Sequence, residues 1–437
     1  MPHSVPWIYS NNGRGLRAVE VSRKLIRFDG IEMVTTVSSV TGSCAFPKVE
    51  PRPLSVAASA NVDFFRATAA SAVMWGHLRA IFFVDFQHLL YGSRSLTALY
   101  FVTGFGHQAV MVFFVLSGFL ISSAILKREA AKNWSWRDYA IDRSSRLYVV
   151  LIPGLLFGLL FDEAGSRFFA SSGLYSHPLV SFGAAIPQNL ITLRIFLGNL
   201  FFLQTILCPT FGSNGPLWSL ANEFWYYALF PLGFFAGLAW ARHSFRRAIP
   251  LTILALCAAV FVGRDILVGF VIWLAGSVLV LGYSKIRLES RIGVVIYVGI
   301  SSLLLCLCLV AIRTGKFAVL GSDLSVGFAF TLFLFGILQM DSKRPHIYYA
   351  GISHLFAEFS YSLYVIHFPL LLFLKAWIAP SQRWQPDTVH LLYGAVIGAM
   401  VLGFALLVSL FTEKRTWVAR NWMRDVIPRF DGAPRAK

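Results

Sequence analysis

The chain has 437 residues, of which 57% are hydrophobic and only 14% charged, against about 25% charged in soluble globular proteins. Apolar blocks of eighteen or more residues recur from Asn61 to Thr412. About 20 such residues cross the hydrocarbon layer as a helix, so this composition excludes an ordinary water-soluble domain. Basic connections between membrane spans account for the net charge of +17, which therefore implies no nucleic acid partner.

In chain order, residues 1–60 come first. They hold Pro2, Pro6, Pro47, Pro51 and Pro53 together with Arg14, Arg17, Arg23, Lys24 and Arg27. No unbroken apolar run follows these cations, so the segment reads as a weakly ordered cytoplasmic tail and not as a cleavable signal peptide. Residues 61–412 form the membrane domain. Spans are expected near 63–84, 107–126, 147–161, 216–240, 248–262, 266–283, 292–312, 324–340, 356–375 and 390–411. The apolar stretch 190–207 contains Arg194, Asn199 and Gln204 and reads as a re-entrant or interfacial helix. Residues 413–437 are a basic cytoplasmic tail. With both termini inside, the inner connections hold 21 Lys and Arg and the outer ones 7, the bias that the positive-inside rule requires. The expected fold is an all-α integral membrane bundle of about ten transmembrane helices in the inner (plasma) membrane. The five Cys residues form no metal-like cluster. Cys306 and Cys308, two apart in an apolar run, read as small apolar residues, so neither a metal nor a tightly bound cofactor is expected.

Polar side chains inside such spans are costly and default to function. The first span carries Asp63, Arg66 and His77. Eleven residues separate Arg66 from His77, which puts both on one helix face about 16 Å apart. A cation at the cytoplasmic mouth with an imidazole deeper on the same face suits an anionic carrier. An Arg reaching for headgroups and a His bonded to a neighbouring helix would fit as well. Arg143 and Arg146, spaced i, i+3 near Arg137, form a candidate phosphate clamp or ordinary positive-inside charge. In Trp218-Ser219-Leu220-Ala221-Asn222-Glu223, the carboxylate of Glu223 needs a cation, a His or a proton. It suits orienting a His, binding a sugar hydroxyl, or a structural ion pair. Ser360, Tyr364 and His367 follow an i, i+4, i+7 stripe that either lines a cavity or bonds helices together. Ser117-Gly118 reads as a close-packing pair before it reads as a nucleophile.

In this order the segments resemble the membrane-bound acyltransferase 3 family. Asp63-Phe64-Phe65-Arg66 continuing to His77 resembles its opening motif, and Phe113 to Leu120 its second-span signature. Arg143-Ser144-Ser145-Arg146-Leu147 resembles its Arg-x-x-Arg motif. Leu217-Trp218-Ser219-Leu220 to Glu223 resembles its Trp-Ser-Leu-x-x-Glu segment. Ser360-Tyr361-Ser362-Leu363-Tyr364 to His367-Phe368-Pro369 resembles its late span. The resemblance implies a ten-span acyltransferase. Its donor is a cytoplasmic acyl-coenzyme A, acetyl-coenzyme A foremost. Its acceptor is a hydroxyl of a glycan or lipid-linked sugar, which brings polysaccharide biosynthesis machinery in as a partner. Arg66, Arg143 and Arg146 would hold the coenzyme A phosphates. His77 would act as general base or transient acyl carrier, with Glu223 and His367 orienting it or the acceptor. Some members add a hydrolase-like domain after the spans. Only 25 residues follow Thr412, so none is expected here. The competing class is a transporter or flippase, whose repeated halves this sequence lacks. If the topology is right, green fluorescent protein fused after Lys437 fluoresces, and alkaline phosphatase fused there is inactive. An active phosphatase fusion sinks the inside placement of the C-terminus.

Overall fold

The computed structural model describes residues 50–177, 186–315, 321–340, 349–380 and 382–428, and by backbone alone residues 9–10, 17–18, 22–28, 31–37, 319–320 and 347–348. The N-terminal tail therefore lies largely outside the described residues. Within it, backbone pairs join Tyr9–Ser10 to Arg17–Ala18 and Ser22–Phe28 to Ile31–Val37, both antiparallel.

From residue 50 onward the regular structure is helical. Polar N-caps start several helices, because their side-chain oxygens accept the first orphan backbone N–H groups. Ser55 caps α1 (Val56–Phe82), which begins earlier than its apolar run suggests. Ser135 caps α4 (Trp136–Phe168) and Thr192 caps α5 (Leu193–Leu200). Ser290 caps α8 (Arg291–Arg313) and Asp387 caps α12 (Thr388–Phe411). The remaining helices are α2 (Arg94–Val102), α3 (Gly106–Ala130), α6 (Leu217–Ala241), α7 (Phe245–Lys285), α9 (Val319–Gln339), α10 (Ile347–Glu358), α11 (Ser360–Ile378) and α13 (Thr416–Val426).

Eight helices are long and apolar enough to cross a membrane. The first helix is not among them, since Asp63, Arg66, His77 and Arg79 lower its hydropathy. The expected spans 248–262 and 266–283 lie in one helical segment, α7, interrupted at Gly263 (φ 77°, ψ −179°). Only glycine takes that conformation readily. Side-chain contacts show that the chain reverses there. Before Gly263, Trp240 donates to Thr252 and Trp225 packs on Phe261, so this half runs antiparallel to α6. After it, Tyr226 meets Phe270 and Phe230 meets Trp273, so the second half runs parallel to α6. The stretch 190–207 contains only the eight-residue α5 and a loop. Eight residues rise about 12 Å, too little to cross. The expected span 356–375 is also broken: Phe359 separates α10 from α11.

Small residues let the central helices approach closely. A Cβ at Gly118 would overlap the Trp273 carbonyl, and one at Gly276 would overlap that of Val115. Ser122 and Ser277 hydrogen-bond across the same α3–α7 contact. Interhelical contacts of small and hydroxyl residues are how helices associate in lipid. The helix α11 is buried along nearly its whole length among α1, α4 and α12, whereas in α8 only Val294 and Ser301 are buried. Outward side chains such as Val260, 83% exposed, leave a broad apolar surface that water would not tolerate but lipid covers.

Gly118→Val should lower the thermal unfolding temperature of the purified protein, with overpacking costing about 1–3 kcal/mol. Gly237→Ala, with nothing within 4 Å of the added Cβ, should not. Equal melting of both variants would remove the close α3–α7 contact from the account of stability.

Candidate active site

The two histidines singled out in the sequence meet. From α1, Nδ1 of His77 lies 2.8 Å from Nε2 of His367 on α11, with the rings stacked at 12° and centroids 5.1 Å apart. The other nitrogen of His367 fixes the tautomers. Its Nδ1 faces two backbone carbonyls, of Leu363 at 3.0 Å and Tyr364 at 2.8 Å. Carbonyls only accept, so in the neutral ring Nδ1 carries the proton and Nε2 is the acceptor. His77 must then donate from Nδ1, which leaves its own Nε2 as the unprotonated nitrogen. A helix geometry that places i−3 and i−4 carbonyls beside His367 thus sets the chemistry of His77 on another helix.

Toward the Arg66 end of α1 lies a second polar group centred on Glu223. Its Oε1 accepts from Ser117 at 3.2 Å and from the Tyr227 hydroxyl, and its Oε2 accepts from Tyr361 at 3.4 Å. Ser117 in turn accepts from the Trp273 indole at 3.1 Å. Ser117 is thus part of a hydrogen-bonded chain, while the neighbouring Gly118 makes room for Trp273. Between the two groups, the Tyr364 hydroxyl lies 2.6 Å from Ser219 Oγ and donates to the Pro216 carbonyl at 3.2 Å. Trp218 takes no part in this chain and stacks on His107. Ser360 bonds back to the Ala357 carbonyl at 2.8 Å, so the polar stripe on α11 runs through Tyr361, Tyr364 and His367 instead.

Below Glu223 opens a cavity of about 260 Å³ lined by Asp63, Arg66, Arg146, Tyr361, Glu413 and Arg420 among others. Arg66 lies 3.7 Å from Asp63. Arg146 is exposed to this cavity, with Glu223, Glu413, Tyr227 and Tyr361 as its electrostatic neighbours. Arg143 does not line it, so the two arginines of the Arg-x-x-Arg motif do not face the same cavity. The Arg143 guanidinium instead lies 5.9 Å over the Tyr139 ring and 6.0 Å over that of Tyr227, one layer behind. The i, i+3 spacing on one helix does bring both arginines into the electrostatic surroundings of Tyr227.

Tyr227, Tyr361 and Glu413 belong to this site without having been singled out in the sequence. Tyr227 stands four residues after Glu223, a spacing that stacks them on one helix face. Tyr361 gave a weaker signal, because Ser360 competed for the same stripe. Glu413 follows the last apolar run and looks like any tail residue. Among the described residues no group of three or more His, Cys, Asp or Glu could hold a metal ion.

These features define a polytopic helical membrane protein with a histidine pair in its interior and a cation-lined cavity at one end. A family model described as an acyltransferase domain matches residues 59–410. The chain belongs to that family, the membrane acyltransferase 3 family. It is 28% identical over 165 residues to YrhL of Bacillus subtilis strain 168, which bears a peptidoglycan O-acetyltransferase name, covering 36% of this chain and 23% of that protein. It is 27% identical over 208 residues to acyltransferase MdmB of Streptomyces mycarofaciens, covering 47% and 46%. To the O-acetyl transferase of Shigella phage Sf6 it is 23% identical over 222 residues, covering 48% and 56%. The matches thus span between about a quarter and about half of the relatives' own lengths. No solved structure matches.

Ser117→Ala removes one of the three hydroxyls on Glu223 and the acceptor of the Trp273 indole. Leaving such groups unsatisfied costs about 1–3 kcal/mol, read as a lowered unfolding temperature. An unchanged temperature would mean that water or a neighbour replaces the hydroxyl.

Proposed function

We propose that this protein is a multi-pass membrane O-acyltransferase that moves an acyl group, acetyl first, from acyl-coenzyme A to a hydroxyl of a glycan or lipid-linked sugar. The family supports acyl transfer. The relatives named for O-acetyl transfer, one of them to peptidoglycan, favour a glycan acceptor. The transporter alternative finds no support among them. The observation that carries the reading is the His77–His367 contact, in which one ring presents the other as a base.

In this proposal the coenzyme A phosphates sit in the cavity of Arg66 and Arg146, and the pantetheine arm runs along the polar stripe of α11. About 16 Å separates Arg66 from His77 along α1. At the top of that path the acceptor oxygen attacks the thioester carbonyl. The C–O bond forms, the C–S bond breaks, and His77 Nε2 takes the hydroxyl proton and passes it to the departing thiolate. A positioned base of this kind contributes typically ~10²–10⁴-fold. His367 is a positioning residue that keeps the Nδ1 proton of His77 engaged. Glu223, bound by three hydroxyls, holds Tyr227 and Tyr361 at the cavity roof and is a support of the donor site before it is a partner of His77. Arg143 braces Tyr227 from behind.

The same proposal places the chain in the inner membrane with ten crossings and both ends in the cytoplasm. The reversal at Gly263 makes α7 two crossings, and α1 crosses despite its polar residues because α3, α10 and α11 pack around it. Orientation rests on the basic connections. Polysaccharide biosynthesis proteins would supply the acceptor.

The test is the O-acyl content of cell-surface glycans, by proton NMR, in wild type, a deletion strain, and the deletion complemented with variants at matched membrane abundance. Deletion should abolish the acyl signals and His77→Ala should fail to restore them. His367→Ala should restore them only in part. Full restoration by His77→Ala would end the base assignment, and unchanged acyl signals on deletion would end the surface-glycan assignment.

A further inference from the structure

The break between α10 and α11 leaves the first backbone N–H groups of α11 facing the cavity. A side chain from far along the chain caps them. Glu413 Oε1 accepts from the Tyr361 N–H at 3.2 Å, and its Oε2 accepts from the Ser362 N–H at 3.1 Å. The same carboxylate lies within the field of Arg146 and Arg66. Two guanidiniums and a helix N-terminus converge on one anion, a constellation suited to phosphate.

The other carboxylates around these arginines have further partners of their own. Asp63 sits on the same helix as Arg66 and also pairs with His354 at 3.3 Å. Glu358 pairs with Lys414 at 3.4 Å. Glu223 is bound by Ser117, Tyr227 and Tyr361. Glu413 differs in its backbone: it opens a three-residue turn, Glu413–Arg415, between α12 and α13 and is not locked inside a long helix.

We propose that Glu413 holds the seat of a donor phosphate, and that the incoming phosphate displaces it, so that Glu413 sets the affinity for the donor. This rests on the reading of the cavity as the coenzyme A site and adds a competitor to it. Without donor, the carboxylate screens Arg66 and Arg146 from each other and closes the end of α11. With donor, a phosphate takes over the N–H groups of Tyr361 and Ser362, and two anions cannot share the seat without repulsion.

The test is equilibrium binding of coenzyme A, and separately of adenosine 3′,5′-bisphosphate, to the purified full-length protein in detergent. Glu413→Gln removes the charge and should bind both probes roughly tenfold tighter, since like charges at one site oppose each other. Glu413→Asp keeps the charge one methylene farther back and should tighten binding by less; it decides the matter should the Gln variant fail to fold. Arg146→Ala should abolish binding. Binding by Glu413→Gln that is unchanged or weaker, while Arg146→Ala loses it, overturns the role of Glu413 and leaves the cavity reading intact. If Arg146→Ala binds like wild type, or wild type binds neither probe, the cavity reading fails and this inference with it.

Discussion

A polar group in hydrocarbon must find its partner within the protein, and the interior of this molecule is arranged around that requirement. His77 meets His367, and His367 turns its second nitrogen to the carbonyls of its own helix. Glu223 gathers three hydroxyls, and Tyr364 joins Ser219 and Pro216. These contacts form a polar strand through the bundle from the cation-lined cavity to the histidine pair. Each member comes from a different helix than its partner in most cases, so the strand also locks α1, α3, α6 and α11 to one another.

The helices that carry this strand are held by close backbone approach and not by apolar burial alone, since lipid is as apolar as leucine. Gly118 and Gly276 let α3 and the second half of α7 touch, and Trp273 fills the space beside Ser117. The packing contact and the polar strand therefore share a residue pair. A change that pushes α3 from α7 also pulls Ser117 from Glu223. Stability and site geometry are coupled there for a mechanical reason.

The two ends of the strand have opposite characters. The cavity end is lined by arginines and carboxylates, with the Glu413–Arg415 turn at its edge. At the histidine end His367 is buried, with its hydrogen bonds set by backbone carbonyls. Under the proposed function that division separates donor binding from chemistry by about 16 Å along α1. It also explains why α1 carries more polar residues than a span of its length should: like α11, it reaches both ends.

The sequence by itself determined the elements whose cause is local. Apolar runs marked the long helices, since ~20 apolar residues in a row have little other use. The Arg66–His77 spacing placed both on one face, and the motifs in order pointed to the family. Where causes were not local, the sequence was silent or misleading. Arg143 and Arg146 looked like a pair at i, i+3, but Arg143 lies over Tyr139 of its own helix and Tyr227 of α6, whereas Arg146 lines the cavity. Ser360 fitted a polar stripe that Tyr361 occupies, because the helix starts at that point and its rotation is set by packing. Glu413 carried no signal at all, for its role exists only where the end of α12 meets the start of α11, fifty residues away in sequence. Only the tertiary structure decided which histidine holds the other's proton in place, because that depends on the two carbonyls beside His367 and on the helix facing it.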